Sequence, residues 1–315
     1  MRYSKGIIAA CLLLVPLLAC AVKAAEPSPS PLVLVLSSQD SNPYKLTRAA
    51  FEEHLSTYFP DAEYRHYLVD PDQAQNSLPV ISAETEEAPS IILALGTRAI
   101  EQTRLSFPDI ALVASMVLKD NVTNPPAQYR AILLQIPAAI QLQWLVKFLP
   151  AVRKVGILYD PDRSSDLIRA FQEASAGTGI DIVPVKINSV AQLKEGLQYI
   201  SKQADALLAV PDATVYSGKT AKEVLLFSYR NSIPFIGLSS TWVEAGALYA
   251  LEANYIDIGR QCAESARQIL AGDSPVAQPK LSASKVTYTV NSKTIQHLRL
   301  NIDPELIAGG LEIFE

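Results

Sequence analysis

Short apolar runs alternate with longer amphipathic segments over most of this chain. Residues 32–36 (LVLVL) and 206–210 (ALLAV) are apolar at every position, which is typical of strands that a parallel sheet buries on both faces. The segment that begins at Pro137 instead places Ile140 and Trp144 on one face of a helix. The repeated alternation of such strands and helices predicts an α/β protein with parallel sheets.

The clearest unit of this pattern lies in the second half of the chain. Two apolar strands are predicted at 206–210 and 234–238, with a helix between them at 218–230. This arrangement is a βαβ unit, and its two strands run parallel. Ligands of open parallel sheets bind beyond the carboxyl ends of the strands. The polar turns that follow these strands, 211–214 and 239–241, therefore predict a cleft for a small molecule.

The pattern is interrupted once and then starts again. Residues 121–129 contain Pro125-Pro126 and show no periodicity, so they are predicted to form a loop. Strand–helix units precede this loop and follow it. Two successive runs of units, each with its own sheet, predict two Rossmann-like lobes.

Composition agrees with this fold and excludes one class of partner. A length of 315 residues suits two medium-sized domains better than one, and 49% hydrophobic residues can fill two cores. Charged residues make up only 19% of the chain, and the net charge is −5. Because no basic stripe is present, the sequence argues against a nucleic-acid partner.

The N-terminal residues are predicted to direct export. Residues 1–24 combine the basic Arg2 and Lys5 with an apolar run and a small-residue cleavage site that ends at Ala24, which predicts a secretory signal peptide. A Pro/Ser-rich linker follows at 25–30. No later stretch has the ~18 apolar residues that a membrane-spanning helix needs.

A second processing route competes with cleavage after Ala24. Leu17-Leu18-Ala19-Cys20 resembles a bacterial lipobox, in which Cys20 becomes the lipidated first residue. Cleavage after Ala24 yields a soluble mature protein, whereas lipidation anchors it to a membrane. With either route we expect the mature protein in the periplasm.

Catalytic chemistry has little support in the sequence. Gly237-Leu238-Ser239-Ser240-Thr241 lacks the second glycine of a nucleophile elbow, and no metal-ligand spacing or phosphate-binding loop occurs. Cys262 has no expected disulfide partner and is predicted to pack in the core on one face of a helix. We therefore expect no enzymatic activity, no metal and no cofactor.

Several motifs together resemble a known family. They are NPYKLTRAAFEEHL (42–55), ALGTRAI (94–100), LQWLVKFLPAVRKVGILYDPD (142–162), GALYALEANYIDIGRQCAESARQILAGDSP (246–275) and VTYTVNSKTIQHLRLNIDPEL (286–306). In this order they resemble the ABC-transporter substrate-binding proteins with a type I periplasmic binding protein fold, relatives of the tryptophan/tyrosine-type binding proteins. The resemblance covers residues 32–306.

The resemblance implies two discontinuous lobes joined by three chain crossings. It places lobe one at 31–134 plus 247–276 and lobe two at 135–246 plus 280–315. The crossings fall near Gln135, Ala245-Gly246 and Gln278. A ligand would lie between the lobes and be buried when they close.

Two functions fit this architecture. One is a monomeric receptor that hands a small molecule, with amino-acid-like compounds as candidates, to an ABC permease. The other is a ligand-sensing subunit that signals to a membrane kinase or diguanylate cyclase. Ligand capture is common to both, and only the membrane partner differs.

Thirteen candidate ligand-binding residues lie at predicted strand ends or in the turns that follow them. They are Ser37, Ser38, Asp40, Gly96, Thr97, Tyr159, Asp160, Asp212, Thr214, Tyr216, Ser239, Ser240 and Gly246. The backbone N–H groups of Gly96 and Thr97 would suit a carboxylate, and Asp212 would suit an ammonium group.

Most of these candidates also have a structural interpretation. Helix capping is the alternative for Ser37, Ser38, Asp40, Gly96, Thr97 and Asp212. The aromatic candidates, Tyr159 and Tyr216 together with Trp242, could pack within a lobe. Gly246 fits a special backbone geometry better than a ligand contact.

Overall fold

The computed structural model describes residues 30–69, 87–273 and 280–314. The predicted signal peptide (1–24), the first five residues of the predicted linker and the predicted crossing at Gln278 lie outside these residues. The described chain forms two α/β lobes, each with its own sheet. The predicted two-lobe α/β fold is confirmed.

The strands, in chain order, are β1 (Leu32–Ser37), β2 (Glu63–Leu68), β3 (Ile91–Leu95), β4 (Leu112–Ser115), β5 (Tyr129–Leu133), β6 (Lys154–Tyr159), β7 (Asp181–Lys186), β8 (Ala206–Leu208), β9 (Phe235–Gly237), β10 (Tyr249–Ala253), β11 (Lys280–Ser282), β12 (Val286–Asn291) and β13 (Glu312–Phe314). The α-helices are α1 (Asn42–Ser56), α2 (Thr97–Ser106), α3 (Ala138–Phe148), α4 (Pro161–Ser175), α5 (Leu193–Gln203), α6 (Ala221–Asn231), α7 (Ser240–Glu244), α8 (Tyr255–Leu270), α9 (Ser292–Leu298) and α10 (Pro304–Ala308).

Lobe one is built on a six-stranded parallel sheet with the spatial order β11-β5-β4-β3-β1-β2. Successive side chains of a strand point to opposite faces, and in β1 both faces are covered. Val33 and Val35 join the core under α1 and α8, whereas Leu34 and Leu36 join the core under α2. This double burial explains why β1 is apolar at consecutive positions.

Helices α1 and α8 pack closely on one face of this sheet, and a glycine permits the approach. A Cβ atom on Gly259 would overlap the Thr47 carbonyl oxygen and would lie 2.8 Å from Ala50 Cβ. Cys262, one turn further along α8, is fully buried, and burial raises the pKa of its thiol to about 12. Cys262 is therefore an unreactive core residue, as predicted.

Replacing Gly259 by alanine is expected to destabilise lobe one by about 2–3 kcal/mol, because the methyl group must push two packed helices apart. This cost exceeds the gain of roughly 1 kcal/mol from better helix propensity. Thermal melting measures the effect. Gly218→Ala is the matched control, since a Cβ there meets open space. Equal melting temperatures for Gly259→Ala and Gly218→Ala would contradict the close packing.

Lobe two is built on a seven-stranded sheet with the spatial order β13-β12-β10-β9-β8-β6-β7. Its neighbouring strands are parallel except for β10 and β12, which pair antiparallel. The predicted βαβ unit is present here as β8, α6 and β9. Its two strands are adjacent, so the turns that follow them share one edge of the sheet.

Within the residues that the structure describes, the chain passes between the lobes three times, and two of these crossings differ from the prediction. The first lies between β5 and α3 and contains Gln135. The second lies at Asn254 rather than at Ala245-Gly246, because β10 pairs with β9 and β12 in lobe two. The third lies between β11 and β12, because β11 pairs with β5 of lobe one. The predicted lobe boundaries at 247 and 280 are therefore wrong.

Gly246 lies in the tight turn between α7 and β10 and has a φ of 121°. Such a conformation favours glycine. Its role is thus the predicted one in backbone geometry, although the turn is not a crossing between lobes.

Within the described residues, no helix has both the length and the apolar character to span a membrane.

Candidate ligand-binding site

A cavity of about 260 Å³ lies where the chain crosses between the lobes. Residues at the first and second crossings, in the loop after β4, on α3 and α4 and at the carboxyl-terminal edge of the lobe-two sheet line it. They are Leu118, Leu134, Gln135, Ile136, Gln141, Leu167, Phe171, Leu208, Ala209, Val210, Pro211, Ile236, Gly237, Leu238, Ser239, Tyr249, Leu251, Glu252, Ala253 and Tyr255. Its position matches the strand-end location that the βαβ unit predicts.

The floor of the cavity is an apolar row across three strands. Leu208, Ile236 and Tyr249 are register partners on β8, β9 and β10, so their side chains share one face of the sheet. Leu167 and Phe171 of α4 cover this face. The cavity therefore offers a mainly apolar surface to the body of a ligand.

Polar groups are concentrated where the cavity meets the second crossing. Glu252 is half-buried at the end of β10, and Tyr255 begins α8. Burial raises the pKa of Glu252, the backbone N–H of Ser240 partly offsets this, and Glu312 raises it further. Burial also raises the pKa of Tyr255, and Glu252 and then Tyr44 add to that increase. The Ser240 N–H, Glu312 and Tyr44 therefore lie close to Glu252 or to its neighbour Tyr255.

The strand ends of lobe one extend this polar region. The hydroxyl of Ser38 accepts a hydrogen bond from the Ala99 backbone N–H at 3.0 Å and so caps α2. Gly96 has a φ of 89°, and a Cβ there would lie 2.6 Å from Ser38 Oγ and 2.8 Å from the Tyr44 hydroxyl. Ser38 and Tyr44 thus both lie against Gly96, and Tyr44 links the predicted lobe-one site to Tyr255.

Asp212 does not face the cavity. Its side chain is only 3% exposed, and its oxygens accept four hydrogen bonds within lobe two. The donors are the backbone N–H of Asp160 (2.8 Å), the hydroxyl of Ser164 (2.8 Å) and the backbone N–H groups of Thr214 (3.0 Å) and Val215 (3.2 Å). This geometry favours the capping interpretation of Asp212 over the ligand-binding one.

Asp160 and Thr214 belong to the same network. Asp160 Oδ1 accepts a hydrogen bond from the Asp162 backbone N–H at the start of α4. The Thr214 hydroxyl donates to Asp160 Oδ2 at 2.7 Å and lowers the pKa of this carboxyl group below its usual value. The hydrogen bond between these two residues therefore connects the loop after β6 to the loop after β8.

The aromatic candidates pack inside lobe two. Tyr159 and Tyr216 are buried and are absent from the cavity lining. Tyr216 stacks on Phe235 with ring centroids 6.1 Å apart and meets Trp242 edge-on at 6.1 Å. These contacts favour the packing interpretation for all three predicted aromatic residues.

The remaining predicted residues lie at strand ends, and their side chains differ in exposure to solvent. Ser239 lines the cavity and precedes α7, whereas Ser240, the first residue of α7, is half-exposed. Ser37 is buried in β1, and Thr97 is exposed at the start of α2. Asp40 is exposed and forms an ion pair with Lys45 at 2.9 Å. Of the thirteen predicted residues, Ser239 lines the cavity itself.

Sequence reasoning missed the residues that give the cavity its chemistry, Tyr249 and Glu252. Both lie on β10, which the predicted boundaries placed in lobe one. The available signal was a polar residue near the carboxyl end of an otherwise apolar strand, YALEA. Correct assignment of β10 to the lobe-two sheet would have placed Glu252 beside the turn after β9.

One direct contact crosses the cleft beside the cavity. The Lys119 ammonium group, in the loop after β4 of lobe one, donates to the Arg163 carbonyl oxygen in α4 of lobe two at 3.1 Å. The neighbouring residue, Leu118, lines the cavity. The loop after β4 therefore forms one wall of the cavity and touches the opposite lobe.

A second hollow, of about 570 Å³, has a different location. It lies on lobe two between α5 and α6, and Lys194, Lys222 and Phe227 are among its lining residues. All of its lining residues belong to lobe two. Since closure of the lobes would not enclose it, the cavity at the crossings is the better candidate site.

Comparisons with known proteins agree with this geometry. A family model described as ABC transporter substrate binding protein matches residues 133–312. No curated protein is significantly similar in sequence.

Three solved structures have a similar fold over 90% of this chain. The ligand-free, open structure of CD0873, a substrate-binding protein from Clostridium difficile, has 18% identity, 99% coverage of that chain and a TM-score of 0.68. The ABC domain in complex with L-Trp from Streptococcus pneumoniae has 16% identity, 100% coverage and a TM-score of 0.54. A conserved domain protein from Vibrio cholerae has 19% identity, 99% coverage and a TM-score of 0.54. The family model spans more than half of the chain, and the protein therefore belongs to the ABC transporter substrate-binding protein family.

Proposed function

We propose that the protein is a periplasmic receptor that captures an amino-acid-like small molecule between its lobes and delivers it to an ABC importer. The supporting observation is the cavity at the crossings, because side chains from both lobes line it. A ligand there touches both lobes only when they are close together. Such a ligand favours the closed state by its differential affinity for it. Binding without catalysis accounts for this role.

The proposed ligand class follows from the shape and chemistry of the site. A volume of about 260 Å³ lies just below the roughly 300–1,000 Å³ typical of sites for drug-sized ligands, which favours a compact molecule. The apolar floor suits an apolar or aromatic body. The L-Trp bound to the Streptococcus pneumoniae protein makes aromatic amino acids the first compounds to test.

A thermal-shift screen of the mature protein with the twenty common L-amino acids tests this proposal. A compound present at about 100 times its dissociation constant stabilises the folded protein by roughly 2.7 kcal/mol. For lobes of this size, the melting temperature should rise by roughly 5–10 °C. Small-angle scattering with the strongest hit should show a smaller radius of gyration than without it. A stabilising compound that leaves the radius unchanged would count against closure.

The processing of the N-terminus and the identity of the membrane partner need separate tests. The intact mass of the native mature protein distinguishes an N-terminus at Ala25 from a diacylglycerol-bearing Cys20. Import predicts that cells without this protein lose uptake of the bound compound. If uptake persists while a ligand-dependent transcriptional response is lost, the sensing role replaces the import role.

A further inference from the structure

The hollow between α5 and α6 of lobe two carries an excess of positive charge. Its charged lining residues are the basic Lys194, Lys219, Lys222 and Arg230 and the acidic Glu223. The hollow is thus basic although the whole chain has a net charge of −5. Within the part of the chain that the structure describes, no ion pair includes any of these five side chains. Because neighbouring like charges repel one another, an anion bound among them would be stabilised.

Apolar side chains line the same hollow. Leu197 of α5 is buried, whereas Phe227 of α6 is partly exposed and Leu226 is 39% exposed. A concave apolar surface that is open to water gains free energy when a ligand covers it. The volume of about 570 Å³ lies within the roughly 300–1,000 Å³ that is typical of sites for small organic molecules. The hollow therefore combines attraction for an anion with a surface for an apolar body.

The lysines are concentrated toward one end of the hollow. Lys194 and Lys222 are the second residues of α5 and α6, and Lys219 lies in the loop before α6. Both helices connect parallel strands of one sheet, so both begin at its carboxyl-terminal edge. Leu197 and Leu226 lie about one turn further along their helices. A molecule with its anionic head among the lysines would therefore place its apolar tail over these two leucines.

We infer that this hollow binds a small amphiphilic anion, with a phosphate or carboxylate head among the three lysines and an apolar tail over Leu197 and Leu226. All of the residues that line the hollow belong to lobe two. Binding there needs no closure of the lobes, so the inference goes beyond the proposed receptor function and does not depend on it.

A series of eight-carbon amphiphiles tests the charge requirement. Octyl phosphate is an anion, octyl glucoside is neutral and octyltrimethylammonium is a cation. Calorimetry measures their binding to the mature protein below the concentrations at which they form micelles. We expect octyl phosphate to bind most tightly. The double variant Lys194→Gln/Lys222→Gln should weaken its binding by roughly 3- to 30-fold, since two partly solvated ion pairs are lost.

The matched control for the double variant is Lys202→Gln. It removes an exposed lysine of the same helix, α5, that lies outside the lining of the hollow, and should leave the affinity for octyl phosphate unchanged. A melt of each unliganded variant verifies folding. Equal affinity of octyl phosphate for the wild-type protein and the double variant would overturn the inference. Octyl glucoside that binds as tightly as octyl phosphate would also overturn it.

Inorganic phosphate tests the apolar part of the site. It carries the charge without the tail, and we expect it to bind more weakly than octyl phosphate by roughly tenfold or more, because the tail covers apolar surface. Equal binding of the two compounds would overturn the placement of the tail over the leucines.

The location is tested with Leu118→Trp, which fills the cavity at the crossings. Leu118 lines that cavity and is absent from the lining of the hollow, so octyl phosphate should bind this variant as tightly as the wild-type protein. A large loss of affinity would show that the anion occupies the cavity at the crossings, which would overturn the inference.

Vesicles distinguish a free amphiphile from a lipid headgroup as the source of the anion. Phosphatidylglycerol vesicles are compared with phosphatidylcholine vesicles in a co-sedimentation assay. If octyl phosphate binds and neither vesicle does, the inferred ligand is a free molecule. If phosphatidylglycerol vesicles also bind and the double variant weakens both interactions, a lipid headgroup fits the same site. Binding to these vesicles without any binding of octyl phosphate would indicate a membrane-binding surface and overturn the inference.

The outcomes are independent of the test of the receptor function. If octyl phosphate does not bind but a compound of the amino-acid screen does, the inferred anion site is wrong and the receptor function stands. If octyl phosphate binds as expected and no amino acid does, the anion site stands and the proposed ligand class of the receptor is wrong.

Discussion

Replacing Asp212 by alanine is expected to lower the free energy of unfolding of lobe two by about 3–5 kcal/mol. The substitution removes the acceptor of four hydrogen bonds at a site that is 3% exposed. Each buried donor that loses its partner costs about 1–3 kcal/mol, and water entering the space relieves part of this. The melting temperature should fall by roughly 6–20 °C, since each kcal/mol shifts it by about 2–4 °C in domains of 150–250 residues.

Two variants make this test specific. Asp166→Ala removes an exposed carboxylate that pairs with Arg169 on the surface of α4, and its effect should stay within about 0.5 kcal/mol. Asp212→Asn keeps one acceptor oxygen and should fall between the other two variants. If Asp212→Ala melts like Asp166→Ala, the network around Asp212 does not stabilise the lobe.

The experiment also separates the two interpretations of Asp212. A capping carboxylate acts on stability, because it holds together the loops after β6 and β8. A ligand-binding carboxylate acts on affinity and leaves the unliganded protein nearly as stable as before. A stable Asp212→Asn variant with much weaker ligand binding would therefore restore Asp212 to the binding site.

The sequence predicts most elements of the fold because local patterns determine them. The apolar runs at 32–36 and 206–210 lie in β1 and at β8, and Pro137 precedes α3. The sequence does not predict strand β11, since it is three residues long and carries the exposed Lys280 and Ser282 at a sheet edge. So short and exposed a strand shows no recognisable hydrophobic periodicity.

Sheet membership is harder to predict than strand existence. Strand β10 is correctly expected as an apolar strand, but its pattern does not specify its neighbours. It pairs with β9, which precedes it in the sequence, and with β12. Helix α8 and strand β11, which belong to lobe one, separate β10 from β12 along the chain. Only tertiary pairing fixes this choice, so the second crossing was misplaced from Asn254 to Ala245-Gly246.

The site residues show the same limit at the level of single side chains. The sequence correctly points to the strand ends of lobe two, and Ser239 does line the cavity. It cannot show that four donors surround Asp212, because Asp160 and Ser164 are about fifty residues away along the chain. It likewise cannot show that β10, and with it Tyr249 and Glu252, belongs to the sheet whose edge lines the cavity.

Replacing Leu118 by tryptophan is expected to weaken ligand binding by about 100-fold or more. Leu118 lines the cavity from lobe one and is 49% exposed, so a larger side chain can project into the cavity without disturbing either core. A cavity of about 260 Å³ has little room for both an indole ring and a ligand. A hundredfold loss corresponds to about 2.7 kcal/mol of binding free energy. Calorimetry with the strongest-binding compound of the screen gives the affinity.

Leu105→Trp is the matched control for this variant. Leu105 is 72% exposed on α2 and lies outside the cavity lining, so the same substitution there should leave affinity unchanged. Both variants should melt within about 0.5 kcal/mol of the wild-type protein, as is usual for surface positions. If Leu118→Trp binds the compound as tightly as Leu105→Trp does, the ligand lies outside this cavity. The strand ends of lobe one around Ser38 and Gly96 would then become the first place to look for it.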